Sequence, residues 1–376
     1  MAGSDVPSTA TPGERDSAGP IVGHSRSTTG LSASKLHEKA LCDLVANVAK
    51  GCSHGCSFCY NRAAPQYRHD PGGEIEAHGV DDPSDAWGEY VLYRHDLPET
   101  VASQLAHSPP QQWTERGRGV VGLSFGTDPY MDATTARITG QTLRLLRDHG
   151  RPARILTRNP TLAWKRHRRL LVEMAQYGLA TIGTSVPSLE DDHVAAIEPL
   201  APPVERRLAD LASFEAAGVP IYVSMSPTYP TLDRMAVRSL LMRLSEVNPS
   251  VIFHEPINPR RGNLEASVEA AEQADAPGLA AALRTITDDR TAWRQYALSQ
   301  FRDVQEIGAD LGLPIHLWPD AQLIEATSGA VAEWLTAWKQ AQSPEPFPDR
   351  EHVARDPGEM PPLPATQRTL QESIHG

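Results

Sequence analysis

The sequence has 376 residues, of which 40% are hydrophobic, 6% aromatic and 22% charged, a composition typical of a globular core with polar appendages. Its 47 acidic and 35 basic residues leave a formal net charge of -12, which argues against a protein whose whole surface binds phosphate backbones. It contains no run of about 18 apolar residues and no basic N-terminal segment followed by an apolar stretch, so we expect neither a membrane span nor secretion and predict a cytoplasmic location.

Both ends of the chain have the composition of disordered segments. Residues 1–34 contain 19 Gly, Pro, Ser or Thr residues, and residues 343–376 contain seven prolines. Neither end has a periodic apolar pattern that would offset the entropy lost on ordering. The sequence therefore predicts four regions, which are a disordered tail (1–34), a core (35–265), a C-terminal helical extension (266–342) and a Pro-rich disordered tail (343–376).

Between these tails, short apolar runs rich in β-branched residues alternate with helical patterns, which is typical of strands buried on both faces of a sheet. The clearest runs are residues 120–125, 153–157, 179–186, 220–226 and 251–255. Their starts are 33, 26, 41 and 31 residues apart, close to the ~30 residues of a strand, a helix and the return connection. Two further apolar runs complete the pattern. Residues 44–48 are predicted to form a sixth parallel strand, and residues 314–318 are predicted to add an edge strand. Six such units form an open or partial barrel or a doubly wound sheet, and in either fold ligands collect at the carboxyl ends of the strands.

Three of the four cysteines lie in one short loop that follows the first predicted strand. Cys52, Cys56 and Cys59 form a C-x3-C-x2-C pattern, and three thiolates at this spacing can bind three corners of a cubane iron–sulfur cluster, which ordinarily has four Cys ligands. The fourth iron would then be open to a substrate or cofactor. A structural zinc site is disfavoured because it needs four ligands, usually as two separated pairs. Cys42 could serve as a fourth ligand or as a hydrogen donor, but it lies on the other side of the strand, and a lone cysteine on an apolar stretch is more often a small buried hydrophobe.

The loop also carries an aromatic residue, Phe58, before its last cysteine, and in this it resembles the radical S-adenosylmethionine (SAM) superfamily. With Gly-Thr-Asp-Pro-Tyr at residues 126–130, the similarity narrows to the spore photoproduct lyase-like, or DNA-repair photolyase-like, branch and runs from about residue 44 to residue 263. The resemblance implies an α/β fold of the partial (β/α)6 TIM-like barrel type, with a [4Fe-4S] cluster bound by Cys52, Cys56 and Cys59. It also implies that SAM binds the open iron, and that an external one-electron reductant of the flavodoxin or ferredoxin type drives its cleavage to methionine and a 5′-deoxyadenosyl radical.

The resemblance further implies which side chains contact SAM. A polar residue after the second strand, a basic residue ending the third and a serine ending the fourth correspond to Thr127, Arg158 and Ser185. Arg158 is suited to the methionine carboxylate, because a guanidinium pairs with a carboxylate through two hydrogen bonds. Asp128 has two possible roles. It could contact the cofactor, or it could cap the helix that follows, since Asp before Pro is a common helix start.

The substrate side departs from the pattern of the branch. Its DNA-repairing members return a hydrogen atom from a cysteine at the position that is Phe125 here. We therefore favour a small molecule of specialised metabolism over nucleic acid as the substrate. Nucleic-acid lesion repair or modification is the alternative, and a non-enzymatic iron–sulfur or zinc protein that senses redox state is the second alternative.

Further charged residues are candidates for the substrate side. The basic run at residues 165–169 is predicted to be a solvated helix face, because Trp164 is the only aromatic beside it and the whole chain is acidic. Two arginines at residues 260–261 follow the sixth strand and are better placed to bind a phosphate on a substrate. His254 and Glu255, at the end of that strand, are candidate substrate contacts, and helix capping or solvation of the strand end explains them equally well.

Overall fold

The structure is a computed structural model that describes residues 19–111, 113–114, 117–260, 262–340 and 356–362. The strands of this part of the chain are β1 (Ile21–His24), β2 (Ser32–Ala33), β3 (Leu44–Ala46), β4 (Ala49–Gly51), β5 (Tyr90–Tyr93), β6 (Trp113–Thr114), β7 (Gly117–Arg118), β8 (Val121–Leu123), β9 (Ala153–Leu156), β10 (Ala180–Ser185), β11 (Ile221–Thr228), β12 (Ile252–Pro256) and β13 (Ile315–Leu317).

An eight-stranded sheet runs through the molecule in the order β13-β12-β11-β10-β9-β8-β3-β2. The pairs from β3 to β13 are all parallel, and only β2 is antiparallel to its neighbour. Each of the seven predicted runs coincides with one of these parallel strands. The α/β class with a central parallel sheet is therefore confirmed, and the carboxyl ends of seven strands meet at one edge.

Helices connect the parallel strands in succession. The α-helices of the described residues are α1 (Pro65–Arg68), α2 (Leu97–His107), α3 (Ala133–Asp148), α4 (Pro160–Gln176), α5 (Asp191–Ile197), α6 (Val204–Ala216), α7 (Arg234–Ser245), α8 (Asn263–Gln273), α9 (Pro277–Asp288), α10 (Arg290–Asp310), α11 (Ala321–Glu325) and α12 (Gly329–Gln340). Short 3-10 turns add Lys35–Lys39, Tyr60–Ala63 and Glu76–His78. None of the helices in the described ranges is long and apolar enough to cross a membrane.

Helix α4 shows how the sequence directs one face of a connection to the core. The helix begins after Asn159, whose side chain caps it by accepting a hydrogen bond from the backbone N–H of Leu162 at 3.1 Å. Its apolar residues recur at the spacing of one helix face. The basic residues at positions 165, 166, 168 and 169 are exposed, whereas His167 between them is buried. The basic residues of α4 therefore form a solvent-exposed helix face, as the sequence predicts.

A small three-stranded sheet, β1-β5-β4, extends the fold at its N-terminal end. β1 is parallel to β5, and β2 pairs with β3 of the main sheet. The prediction of disorder is therefore wrong for residues 19–34, because β1 pairs with the distant strand β5 and β2 pairs with β3, and local composition reveals neither pairing. Residues 1–18 of the predicted tail lie outside the described residues.

The C-terminal part is joined closely to the core. β13 belongs to the main sheet, and α8 spans the predicted division at residue 265, so the extension is not separate from the sheet. Within the predicted Pro-rich tail, residues 356–362 are described, and Met360 is buried against the core. The indole of Trp334 donates to the carbonyl of Gly358 at 2.6 Å. The remainder of that tail lies outside the described residues.

Candidate functional site

A cavity of about 410 Å³ lies at the carboxyl ends of the parallel strands. Its walls come from the Lys35–Lys39 turn, the cysteine loop, the segments that follow β8 and β9, the end of β10, β11 and β12, and the residue after β13. The structure brings all seven site residues predicted from the sequence to this cavity: Cys52, Cys56, Cys59, Thr127, Asp128, Arg158 and Ser185.

The cysteine loop follows β4, a strand of the small sheet, and not directly the first strand of the main sheet. Two turns shape it, because the backbone of Gly55 donates to the carbonyl of Cys52 at 3.2 Å and that of Cys59 donates to the carbonyl of Cys56 at 3.1 Å. Gly55 has a φ of +58° and lies against Gly88, where an added Cβ would come within 2.9 Å of the Gly55 Cα. Both glycines are therefore needed for the close approach of the two segments.

Three elements hold the cysteine loop in place. The backbone of Ser57 donates to the carbonyl of Ile197 at the end of α5, at 3.1 Å. The Ser57 hydroxyl donates to Ser267 of α8 at 3.1 Å, and the backbone of Ser53 approaches Met131 Sδ at 2.9 Å. The positions of the thiols are consequently set by contacts far apart in sequence.

Cys52 and Cys56 are buried, Cys59 is half-buried, and the three loop thiols share one electrostatic environment. Burial raises the pKa of Cys52 to about 11, and the Asp128 carboxylate adds to the effect. Burial also raises the pKa of Cys56 and Cys59, while the Arg158 guanidinium opposes that rise at both. Without a metal these groups are thiols near neutral pH, and a bound metal would deprotonate them.

Cys42 is separate from these three residues. It does not line the cavity, and its thiol lies beside Gly122 of β8 with its pKa raised to about 12 by burial. Among the described residues, no three His, Cys, Asp or Glu side chains converge on one point that could hold a metal ion. The thiolates of a cubane cluster each bind a different iron, so they need not converge in that way.

Asp128 joins the ends of β8 and β9. Its carboxylate accepts from the hydroxyl of Thr157 at 2.7 Å, from the backbone of Arg158 at 2.7 Å and from the backbone of Tyr130 at 2.8 Å. The capping alternative is wrong for this residue, because α3 is capped by Asp132. These bonds position the segments that carry Thr127 and Arg158.

Two small polar side chains border the cavity beside Asp128. Thr127 is buried, and its Oγ1 has no hydrogen-bond partner within the described residues. Ser185 is the last residue of β10, and its carbonyl accepts from Arg207 Nη1 at 3.0 Å. A buried hydroxyl without a partner is costly, so Thr127 Oγ1 is suited to a polar ligand atom.

Arg158 belongs to a buried charge cluster that the sequence analysis missed. Its guanidinium lies 5.0 Å from the centroid of Phe58, and its Nε is 3.1 Å from Glu198 Oε2. The same carboxylate oxygen is 2.7 Å from Arg207 Nη1, and both of these side chains are fully buried. Burial raises the pKa of Glu198, but Arg158 and Arg207 outweigh it and lower the pKa below its ordinary value.

Part of the cavity wall is apolar. Its side chains include Leu41, Leu156, Tyr222, Phe253 and Trp318. Aromatic and aliphatic walls of this kind favour a ligand with an apolar part.

One ion pair crosses the mouth beside this wall. Lys39 Nζ is 2.8 Å from Glu255 Oε2 and 5.4 Å from the Trp318 ring centroid. Lys39 of the Lys35–Lys39 turn and Glu255 both line the cavity, so Glu255 lies where a substrate contact would be needed.

The other basic and titratable candidates have different surroundings. The ring of His254 packs against Phe301 of α10 at 5.2 Å, and burial lowers its pKa to about 3, so it is uncharged at neutral pH. Arg260 lines the cavity but is paired with Asp320. Arg261 lies outside the described residues, and residues 165–169 do not line the cavity.

Comparisons with known proteins give only distant similarities. No family model matches the chain. It is 24% identical over 227 residues to the uncharacterized protein ORF301 of Acidianus two-tailed virus, covering 58% of this chain and 68% of that protein. It is 28% identical over 190 residues to the uncharacterized protein Rv2578c of Mycobacterium tuberculosis, covering 50% of this chain and 49% of that protein. The chain thus spans about half the length of the mycobacterial relative.

Among solved structures, a Cys-to-Ser variant of spore photoproduct lyase is similar at 15% identity and a TM-score of 0.47, over 67% of this chain and 66% of that one. A variant of the same enzyme with bound AdoMet and dinucleoside spore photoproduct gives 13% identity and a TM-score of 0.43 over the same shares. Streptococcus suis SuiB bound to S-adenosylmethionine gives 15% identity and a TM-score of 0.30, over 42% of this chain and 36% of that one. These values are too low to assign a reaction or a substrate to this chain.

Proposed function

We propose that this protein is a radical SAM enzyme, with a [4Fe-4S] cluster on Cys52, Cys56 and Cys59 and SAM bound beside it. The observation that carries the proposal is the shared cavity, which three loop thiols, a guanidinium and a buried unpartnered hydroxyl all line. Three thiolates leave one iron of a cubane without a protein ligand. The chemistry that the pair supplies when bound is reductive cleavage of the sulfonium to methionine and a 5′-deoxyadenosyl radical, which abstracts hydrogen from an organic substrate.

In this proposal, each of the cavity residues has a separate role in binding SAM. Arg158 pairs with the carboxylate of SAM, because a guanidinium is the side chain best matched to that group. Thr127 and Ser185 hydrogen-bond polar atoms of the cofactor, and Asp128 positions the loops that carry Thr127 and Arg158. The protein as a whole orients the reactants and excludes water and oxygen.

The substrate in this proposal is a small molecule, and the electron comes from an external one-electron donor of the flavodoxin or ferredoxin type. The apolar wall formed by Tyr222, Phe253 and Trp318 supports a compact, partly apolar substrate. Phe125 lines the cavity where the resembling DNA-repair enzymes carry a hydrogen-donating cysteine. The exposed basic residues of α4 do not line the cavity, and this too favours a small molecule over a nucleic-acid backbone.

The experiment is an anaerobic assay of the reconstituted protein with SAM and dithionite. The expected products are 5′-deoxyadenosine and methionine in equal amounts, and Cys56→Ala is expected to form neither. Cys42→Ala serves as the matched control, because that thiol lies outside the cavity. If the wild-type protein binds iron but leaves SAM intact, the enzymatic proposal is wrong and a non-enzymatic redox protein takes its place.

A further inference from the structure

A fully buried ion pair, Glu198 with Arg207, lies behind the candidate SAM residues and lines no part of the cavity itself. Glu198 directly follows α5 as its C-cap, and Arg207 projects from the first turns of α6. Neither residue has the exposure expected of a surface ion pair. Because water does not reach this ion pair, a contribution to surface solubility does not explain it.

The pair is joined to three parts of the site at once. Glu198 is 3.1 Å from Arg158 Nε at the end of β9. Arg207 donates to the carbonyl of Ser185 at the end of β10, at 3.0 Å. Ile197, beside Glu198 in the chain, accepts from the backbone of Ser57 in the cysteine loop at 3.1 Å.

The cluster also includes a second carboxylate. Arg158 and Arg207 carry two positive charges, and the carboxylates of Glu198 and Asp128 lie beside them. The Arg158 side chain lines the cavity, and its Nε lies beside Glu198. The guanidinium that Glu198 contacts is therefore the one that an anionic ligand group in the cavity would pair with.

We infer that Glu198 and Arg207 are positioning residues, which hold the Arg158 guanidinium and the end of β10 in place for the carboxylate of SAM. This inference rests on the proposed function, since it needs Arg158 to pair with SAM. Buried ion pairs add little to stability compared with apolar side chains of similar size. In this protein, the ion pair instead fixes the orientation of the Arg158 guanidinium.

The test is a double-mutant cycle on the cluster-loaded protein, with Glu198→Gln, Arg158→Ala and the combined variant. The dissociation constant of SAM is measured by equilibrium dialysis without reductant, so that no turnover contributes. Outer partners that orient a ligating group typically cost 10–100-fold when removed, and we expect Glu198→Gln to weaken SAM binding by about tenfold. In the Arg158→Ala background the same substitution should have almost no further effect, because its target is absent.

Asp210→Asn is the matched control. Asp210 is buried and paired with Arg206 at 2.7 Å, but it does not line the cavity or touch the cluster of charges. This variant should bind SAM as the wild type does and retain its iron. Glu198→Asp, which keeps the charge on a shorter side chain, is the second variant if Glu198→Gln does not fold, and it should show the same dependence on Arg158.

Two results overturn the inference in distinguishable ways. If the wild type binds SAM and the effects of Glu198→Gln and Arg158→Ala simply add, Glu198 does not act through Arg158 and the inference alone fails. If the cluster-loaded wild type does not bind SAM, the proposed function fails and the inference fails with it.

Discussion

The four cysteines differ in what surrounds them, and this leads to the first prediction. Cys52, Cys56 and Cys59 line the cavity, whereas Cys42 is buried elsewhere. We expect single Cys→Ala substitutions at the three loop positions to remove most of the reconstituted iron and sulfide, since each removes one corner ligand of the cluster. Cys42→Ala should retain about four irons per chain. Iron and sulfide analysis measures both, and a full cluster in Cys56→Ala would refute the ligand assignment.

Individual site residues were predictable from sequence only where a local motif marks them. Cys52, Thr127 and Ser185 each belong to a short pattern at the end of a predicted strand, and the parallel topology brings such ends together. Glu198 and Arg207 belong to no such pattern. Their role depends on an ion pair with Arg158, which is 40 residues from Glu198, and a partner at that separation is visible only after folding.

At the scale of elements, the cysteine loop depends on its close contact with the segment before β5. Gly88 has a φ of +105°, and an added Cβ would lie 2.9 Å from the Gly55 Cα. We expect Gly88→Ala to displace the loop, because the added Cβ would clash with the Gly55 backbone, and to reduce the iron bound on reconstitution by about half or more.

The matched control for this prediction is Gly79→Ala. Gly79 also has a positive φ, +84°, but its Cβ would meet nothing within 4 Å. This variant should lose about 1–2 kcal/mol of stability through backbone strain and yet bind as much iron as the wild type. Equal loss of iron in both variants would show that strain, and not the contact with Gly55, is the cause.

The strands of the main sheet were predictable because each is buried on both faces and so forms a continuous apolar run. The small sheet was not predicted. β1 lies in a Gly- and Ser-rich segment, and it forms a strand because it pairs with Tyr90–Tyr93, some 70 residues away. The long-range pairing outweighs the local composition, and only the apolar run Tyr-Val-Leu-Tyr of β5 gave a signal in the sequence.

At the scale of the whole molecule, buried histidines make stability depend on pH. Burial lowers the pKa of His316 to about 4, and the charges of Arg154 and Lys39 contribute. Since an unfolded histidine titrates near 6.5, the unfolded chain binds a proton that the native chain excludes between pH 6.5 and about 4. Stability is therefore highest above pH 6.5 and falls as the pH is lowered through that range.

His316→Phe tests this account, because it removes the titrating group and keeps a ring that packs beside Phe253 and Trp318. The free energy of unfolding is measured by urea titration at pH 7 and pH 5. The wild type should lose about 2 kcal/mol more than the variant between these values. An equal loss in both proteins would mean that another group carries the pH dependence.

The distribution of charge over the molecule leads to a prediction about nucleic acids. The net charge is -12, and the exposed basic residues at positions 165, 166, 168 and 169 do not line the cavity. We expect no binding of single- or double-stranded oligonucleotides by the cluster-loaded protein at physiological ionic strength. Fluorescence anisotropy across a salt series measures this, and a variant with the four basic residues neutralised is the control.

A submicromolar affinity would contradict that prediction if it collapsed with salt and disappeared in the neutralised variant. Each phosphate contact contributes a log–log slope of roughly -0.7 to -0.9. The measured slope would then give the number of phosphate contacts, and a nucleic acid would replace the small molecule as the proposed substrate.

The most direct test of the central proposal is the electron paramagnetic resonance spectrum of the dithionite-reduced, cluster-loaded protein, recorded with and without SAM. We predict the signal of one reduced four-iron cluster, and a change in its g-values when SAM is added, because SAM binds at the iron that has no protein ligand. In Arg158→Ala the same change should require SAM concentrations at least about tenfold higher, because a charge-assisted hydrogen bond worth roughly 1.5–3 kcal/mol is lost. A reduced cluster whose spectrum is the same with and without SAM would contradict the proposal.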